Sequence, residues 1–309
     1  DVLAAPGFVL DAQQTANAIV TALSQNEPTA LVPVRYQGGS VSLNIDGQSH
    51  ELTLLAAGRS NFKNSPWGRK ANIKKGLGER INGTLVPPGA TISFNDIVGP
   101  ISQSRGWHQA LTIFDGWRLA PEVGGGLCQV ATTVYRAVLL SGLKIDERKN
   151  HSLYVTYYKE YGVGLDATVF PGKQDFVFVN DTPGYLFIES HVTEDDGYVN
   201  MYGIDDGRIA SLDGPYFAST APADVMVTDA KTKQDRKLKN NEIVWRRTVV
   251  HADGSQNTET IASRYNAIPL QTLAKEFPTG EWGTMLLHTA GPPKPMTPVT
   301  GTKEVSIQQ

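Results

Sequence analysis

The sequence predicts an α+β fold, in which a glycine-rich turn and the helix carrying Cys128 pack against a mainly antiparallel sheet, with small flanking α+β and β pieces. Two segments with helical spacing of apolar residues come first and a series of strand-like segments follows, an order typical of α+β proteins. The 309 residues include 30 glycines and 18 prolines and are 40% hydrophobic, which indicates a folded, turn-rich chain.

The first part of the chain predicts a small α+β unit over residues 1–57. Residues 11–24 place apolar side chains on one helical face behind Asp11 as the N-cap. Residues 41–56 then alternate apolar and polar side chains on both sides of Asp46–Gly47, the dipeptide most typical of a tight hairpin turn.

Residues 66–82 predict a basic amphipathic helix that begins at Pro66 and ends at Asn82–Gly83, because Ile73, Leu77 and Ile81 recur every four residues. Basic residues are concentrated in this region, whereas a group of aspartates lies much later in the chain. The basic residues are Arg59, Lys63, Arg69, Lys70, Lys74, Lys75 and Arg80, and the aspartates are Asp195, Asp196, Asp205 and Asp206. The basic patch would suit an anionic polymer or a peptide carboxylate, although such runs are more often a solvated helix face.

The middle and end of the chain predict one further helix and many strands. Residues 85–100 are interpreted as a turn, a short strand and a turn, and two hairpins are predicted around Asp115–Gly116 and Asp253–Gly254. The helix carrying Cys128 ends at Gly142. Strands are predicted at 151–158, 166–170, 175–180 and 185–192. The predicted domains are 1–57, a core at 58–205, a β-rich extension at 206–285 and a proline-rich polar tail at 286–309.

Composition excludes several classes of function. The net charge of −3 gives no overall attraction to nucleic acid, and no apolar run reaches the roughly 20 residues that cross a bilayer. Because the numbering starts at Asp1, we expect that a signal or membrane anchor was removed from a longer precursor. The single cysteine excludes an internal disulfide, and neither paired histidines nor a CxxC motif predicts a metal site, so no cofactor is expected.

The most informative segment is Gly124-Gly125-Gly126-Leu127-Cys128-Gln129, which places a thiol in the first turn of a helix after a flexible backbone. Unpaired N–H groups and the helix dipole stabilise a thiolate, which is the nucleophilic form of cysteine. The amides of Gly125, Gly126 and Leu127 are candidate donors to an oxyanion, an interaction worth about 3 kcal/mol per donor in acyl-transfer enzymes. The alternative is that Cys128 is a small buried side chain that only packs.

A cysteine nucleophile needs a base, and His151 is the leading candidate, with Asp166 as the group that orients it. A simple hairpin turning near Tyr161 would, however, leave Asp166 roughly 20 Å from His151. A backbone carbonyl or Glu122 could then orient the imidazole instead. Beside Trp107, His108 is a candidate for the wall of a groove.

The motifs NIKKGLGERINGTLVPPGATISFNDIVGP, GGGLCQVATTVYRAVLLSGLKIDERKNHS, DATVF and FVNDTPGYLFIES together resemble the VanW domain family. The resemblance covers residues 58–205 and continues into 240–270, while residues 8–57 resemble the end of the peptidoglycan-binding domain that often precedes VanW. The family is named after an accessory gene of glycopeptide-resistance clusters. Residues carried over as substrate-binding candidates are Arg69, Asn72, Trp107 (where the family often has tyrosine), Gln129 and Arg148. For Arg69 and Asn72, which share a helix face, an equally open alternative is that they satisfy carbonyl groups of a loop.

The resemblance implies a cysteine L,D-transpeptidase of the cell wall, an acyltransferase that forms a thioester on Cys128 with His151 as base. It also implies an extracytoplasmic location, peptidoglycan stem peptides as partners and a monomeric state. Two alternatives stay open from the residues: a cysteine peptidase that passes the acyl group to water, and a noncatalytic wall-binding module in which the glycine-rich turn grips a carboxylate.

Overall fold

The computed structural model describes residues 2–3, 7–10, 34–37 and 39–266, except 46, 115–117, 159–160 and 230, together with five positions between 16 and 24. These residues divide into two compact units, one up to Leu54 and one from Leu55 onward. The predicted tail at 286–309 and most of the predicted helix at 11–24 lie outside the described residues. The five described positions of that helix are helical.

The first unit consists mainly of short antiparallel strands. They are β1 (Val2–Leu3), β2 (Gly7–Leu10), β3 (Val34–Gln37), β4 (Ser40–Ile45) and the first part of β5 (Gln48–Asn61). β2 pairs with β3, and β4 pairs with both β1 and β5. The predicted hairpin around Asp46–Gly47 is confirmed, since Ile45 lies opposite Gln48.

The second unit contains the helices. They are α1 (Trp67–Lys75), which continues as a π-helical turn (Gly76–Ile81), α2 (Phe94–Val98), α3 (Leu127–Leu140) and two 3-10 turns (Gln103–Arg105 and Thr156–Tyr158). The amphipathic helix predicted at 66–82 is confirmed, because Ile73, Leu77 and Ile81 are fully buried. No helix in the described part of the chain has the length and apolar character needed to cross a membrane.

Antiparallel sheets make up the rest of this unit. The strands are β6 (Thr84–Val86), β7 (Thr91–Ser93), β8 (Gln109–Phe114), β9 (Arg118–Val123), β10 (Lys144–Glu147), β11 (Val177–Val179), β12 (Leu186–Val192), β13 (Asp196–Gly203), β14 (Ile209–Phe217), β15 (Val227–Thr228), β16 (Asp235–Arg236), β17 (Glu242–Val250) and β18 (Gln256–Arg264). Their orders are β5-β13-β12-β6, β10-β11-β7 and β14-β17-β18, with the pairs β8-β9 and β15-β16. The α+β class is therefore confirmed, with sheet dominant.

Helix α3 lies at the centre of this unit. Twelve of its 14 residues are buried, and the two exceptions are Cys128 in the first turn and Leu140 at the last position. It packs against α1, β10, β13 and β14. Burial on nearly all sides makes α3 a core helix, in which the polar side chains need partners within the protein. Cys128 is thus the point at which the start of this buried helix reaches solvent.

Two predicted strands are wrong. Residues 151–158 form a loop and a 3-10 turn, and residues 166–170 form no strand beyond one bridge between Phe170 and Gln174. The physical reason is that the backbone carbonyl groups of these segments accept hydrogen bonds from side chains and not from a neighbouring strand. The guanidinium of Arg136 donates to the carbonyl oxygens of Tyr158, Gly162 and Leu165. Buried carbonyl groups need a donor, and an arginine can supply several at once.

Two smaller outcomes concern turns. The segment predicted as a turn after β7 is helix α2, because the Ser93 hydroxyl caps it by accepting from the Asp96 N–H at 3.1 Å. The hairpins predicted around Asp115–Gly116 and Asp253–Gly254 are confirmed by the pairing of β8 with β9 and of β17 with β18.

Three of the seven basic residues around α1 pair with carboxylates among the described residues. Arg59 pairs with Asp196 and Lys70 with Asp195, both at 2.7 Å, and Lys75 pairs with Glu79. Two of the aspartates that cluster late in the sequence therefore meet the early basic residues in space. This pairing reduces the positive charge that the stretch could offer to an anionic polymer.

Replacing Arg136 by methionine should destabilise the protein by about 3 kcal/mol or more, because it leaves several buried carbonyl groups without a donor. Although burial lowers the pKa of Arg136 to about 10, the side chain remains charged at neutral pH. Urea unfolding followed by circular dichroism measures the effect. The matched substitution of the exposed Arg105 should leave the unfolding midpoint nearly unchanged; equal midpoints for both variants would contradict this role of Arg136.

Candidate active site

The glycine-rich turn fixes where α3 begins. Gly126 occupies the N-cap position with a φ of 109°, a conformation that favours glycine. At Gly125 a β-carbon would lie 2.4 Å from the carbonyl oxygen of Ala110, which is backbone and cannot move aside. Both positions therefore require glycine for a physical reason, and the turn places Cys128 as the second residue of the helix.

Asn72 locks this turn to the neighbouring strand. Its Nδ2 donates to the carbonyl oxygens of Gly125 at 2.9 Å and His108 at 2.8 Å, and its Oδ1 accepts from the His108 N–H at 2.9 Å. The side chain is completely buried. The prediction that Asn72 binds substrate is corrected: its amide is already fully used, and its contact is with the protein backbone.

The backbone donors around the cysteine differ from the predicted set. The N–H of Gly125 donates to the Glu122 carbonyl oxygen at 3.3 Å, and that of Leu127 donates to Gly124 at 3.1 Å. Gly125 and Leu127 therefore do not provide free oxyanion donors. Within the described residues, the N–H groups of Gly126 and Cys128 have no protein acceptor. These two are available to an oxyanion next to the thiol.

His151 lies between Cys128 and Asp166. Its imidazole is close enough to the Cys128 thiol for each group to shift the pKa of the other. Its Nδ1 lies 2.5 Å from Oδ2 of Asp166, so Nε2 is the nitrogen left for sulfur. The same Oδ2 accepts the backbone N–H of His151 at 2.7 Å. The separation of roughly 20 Å expected from a simple hairpin is wrong, because residues 151–158 and 161–166 form turns and loop instead of paired strands.

The protonation states follow from this contact geometry. Burial raises the pKa of the Cys128 thiol, but the hydrogen bond and charge of His151 outweigh burial, so the pKa is lowered overall. Burial lowers the pKa of His151, whereas its bonds to Asp166 and Cys128 raise it to about 9. The pKa of Asp166 is raised by burial but brought down to about 2, chiefly by its bond with His151. These directions favour a thiolate and imidazolium pair at neutral pH.

Two further groups contact this arrangement and were missed from the sequence. The carbonyl oxygen of Val169 accepts from the Cys128 thiol at 3.5 Å. The hydroxyl of Tyr265 donates to Oδ1 of Asp166. A backbone carbonyl has no sequence signal, and Tyr265 lies 99 residues from Asp166, so neither contact could be predicted from spacing. Asp166, and not Glu122, is the carboxylate beside His151.

Three residues predicted to bind substrate instead make hydrogen bonds within the protein. Arg148 donates to the carbonyl oxygens of Asp166 and Gly164 and to the Ser263 hydroxyl. Arg69 and Gln129 are 3% and 0% exposed and bond to each other at 2.6 Å. The predicted substrate contacts of all three are corrected, because Arg69 and Gln129 are buried, only 10% of the Arg148 side chain is exposed, and each side chain already has partners in the protein.

Trp107 is also corrected, since it is 1% exposed and belongs to the core. The exposed aromatic residue nearby is Trp67, 71% exposed, whose ring meets that of His108 edge to face with centroids 4.5 Å apart. Within the described part of the chain, no three His, Cys, Asp or Glu side chains come together in a way that could hold a metal ion.

Comparison with known proteins places the site within one family. Residues 68–202 match the family described as VanW like protein. The uncharacterized protein YoaR of Bacillus subtilis is 39% identical over 119 residues, and the vancomycin B-type resistance protein VanW of Enterococcus faecalis is 31% identical over 104 residues. These matches cover 38% and 33% of this chain, respectively, and 38% of the length of each relative. No solved structure matches the chain.

The matched range includes the glycine-rich turn, Cys128, His151 and Asp166, all of which lie in the second compact unit. Over residues 68–202, the chain is therefore similar to the VanW-like proteins.

Proposed function

We propose that this protein is a cell-wall acyltransferase, an L,D-transpeptidase that forms a thioester between Cys128 and a peptidoglycan stem peptide. The observation that carries the proposal is a partly exposed cysteine at the start of a buried helix, beside the imidazole of His151, whose Nδ1 lies 2.5 Å from Oδ2 of Asp166. A relative is named as a vancomycin B-type resistance protein, which supports the bacterial wall as the place of action. We accordingly propose an extracytoplasmic location and a monomeric state.

In the first half of the reaction, the Cys128 thiolate attacks the carbonyl carbon of the peptide bond that joins the third stem residue to D-alanine. The oxyanion of the tetrahedral intermediate accepts from the N–H groups of Gly126 and Cys128. The His151 imidazolium then gives its proton to the nitrogen of the departing D-alanine. The C–N bond breaks and a thioester to Cys128 remains.

In the second half, an amine of a neighbouring stem attacks the thioester while His151 takes its proton. The Cys128 thiolate leaves and a new amide bond joins the two stems. If water takes the place of the amine, the same residues make a cysteine peptidase. The roles of Asp166 in both cases are to keep the proton on Nδ1 and to stabilise the imidazolium.

The noncatalytic alternative, a wall-binding module, is less well supported. A binding turn would need its polar groups to face a ligand, yet Asn72, Arg69 and Gln129 make their hydrogen bonds within the protein. A cysteine that only packs would have no need of a histidine and a buried carboxylate beside it. The arrangement is instead the one that activates a thiol.

Incubation with a carbapenem or a tetrapeptide-stem muropeptide should add one acyl group to the wild-type protein and none to Cys128→Ala. Intact-protein mass spectrometry measures the adduct, and circular dichroism checks that both proteins are folded. A folded wild-type protein that forms no adduct with either reagent would move the assignment to the binding module. Cross-linked dimers among the released products support the transpeptidase, whereas shortened monomers alone support the peptidase.

The rate of iodoacetamide alkylation of Cys128 should rise with pH at a midpoint below the usual thiol range, because the imidazolium stabilises the thiolate. In His151→Gln the midpoint should move above that range, since burial then raises the thiol pKa without compensation. Acylation by a stem peptide should decline again above about pH 9, where His151 loses the proton that the leaving amine needs. A midpoint that is the same in both proteins would contradict the pairing of Cys128 with His151.

A further inference from the structure

A residue beyond the end of the family match also contacts the candidate active site. The match ends at residue 202, whereas strand β18 ends at Arg264 and is followed directly by Tyr265, which is 8% exposed. We propose that Tyr265 is a positioning residue that holds the Asp166 carboxylate in the orientation in which His151 faces Cys128. This inference rests on the proposed function and adds to it a required part of the chain beyond residue 202.

The position of Tyr265 is fixed independently of the site. Its backbone N–H donates to the Asn241 carbonyl oxygen at 3.0 Å, and its carbonyl oxygen accepts from Asn241 Nδ2 at 2.9 Å. Its ring meets that of Tyr154 edge to face, with centroids 5.4 Å apart. The hydroxyl therefore reaches Oδ1 of Asp166 from a backbone that β17 and β18 hold in place.

The end of the same hairpin also holds both sides of the loop that carries His151 and Asp166. On one side, the Asn266 N–H donates to the Ser152 carbonyl oxygen at 2.6 Å, and Asn150 Nδ2 donates to that of Arg264 at 2.7 Å. On the other side, the Ser263 hydroxyl donates to the Gly164 carbonyl oxygen at 2.6 Å. The hairpin end thus fixes the backbone next to both His151 and Asp166.

The hydroxyl matters because the two oxygens of Asp166 have different partners. Oδ2 takes both bonds from His151, and Oδ1 takes the bond from Tyr265, while the Arg148 guanidinium lies 3.7 Å from Oδ1. Without the hydroxyl, the carboxylate would be drawn toward Arg148 and its alignment with the imidazole would be lost. Burial and the Asp166 charge raise the pKa of Tyr265 well above its usual value, so the phenol keeps its proton and donates.

Other ionisable groups also surround the three residues and stay unchanged in the test below. They are Arg69 and Tyr158 near Cys128, and Tyr135, Arg136, Arg148, Tyr154 and Tyr158 near Asp166. The phenols among them whose pKa is raised to about 12 or beyond remain neutral across the pH range of the measurement.

The test compares the pH dependence of Cys128 alkylation in the full-length wild-type protein and in Tyr265→Phe. We expect the midpoint to rise by roughly half to one pH unit, because one hydrogen bond to a charged group is lost and the thiolate and imidazolium pair is weakened. The downfield NMR resonance of the His151 Nδ1 proton should also broaden or shift. A midpoint in Tyr265→Phe that is unchanged or lower, in a protein shown by circular dichroism to be folded, would overturn the proposal.

Tyr154→Phe is the matched control. It removes a hydroxyl from the adjoining ring, and within the described residues that hydroxyl is buried without a hydrogen-bond partner. The pH midpoint of Cys128 alkylation in Tyr154→Phe should equal that of the wild type. An equal rise of this midpoint in both variants would contradict a specific role for Tyr265. If the wild type itself shows an ordinary thiol midpoint, the proposed function fails; if the wild-type midpoint is low and Tyr265→Phe leaves it there, only the positioning role fails.

Discussion

The buried carboxylate of Asp166 is the charge on which the geometry of the site depends. A carboxylate removed from water is costly unless donors surround it, and here donors come from His151 twice, from Tyr265 and from the more distant Arg148. The bonds and charge of His151 and the charge of Arg148 hold its pKa at about 2 in spite of burial. Because both bonds to His151 use the same oxygen, the orientation of the carboxylate also sets the orientation of the imidazole and hence the nitrogen that faces Cys128.

Helix α3 connects this charge to the rest of the core. Its buried face carries polar side chains as well as apolar ones, and these serve the backbone of irregular segments. Thr132 exchanges hydrogen bonds with the backbone of Ala167, and Arg136 donates to carbonyl groups of the loop between His151 and Asp166. The loop can therefore be irregular and still be buried, because the helix meets the hydrogen-bonding needs that a sheet would otherwise meet.

The start of the same helix supplies the other half of the proposed chemistry. The Asn72 side chain holds the turn, the glycine conformations direct the chain into the helix, and the N–H groups of Gly126 and Cys128 are left without protein acceptors among the described residues. A thiol placed there has helix N–H groups on one side and the imidazole on the other. The proposed nucleophile, oxyanion donors and base thus lie close together at the start of one buried helix, an arrangement suited to the proposed acyl transfer.

Local pattern was sufficient for the main helices and hairpins and for the choice of candidate residues. The α+β class, the helix at 66–82 and three hairpins followed from periodicity and turn residues, and Cys128 with His151 followed from a glycine-rich helix start and a downstream histidine. Tertiary structure decided which side chains are accessible: Arg69, Asn72, Trp107 and Gln129 are buried, and the guanidinium of Arg148 bonds within the protein. The strands expected at 151–158 and 166–170 are absent. Tertiary structure also decided that Asp166 reaches His151 and that Tyr265 reaches Asp166. The physical reason is that spacing along the chain reports short-range order, whereas burial and the partners of a buried charge depend on residues brought together from distant parts of the sequence.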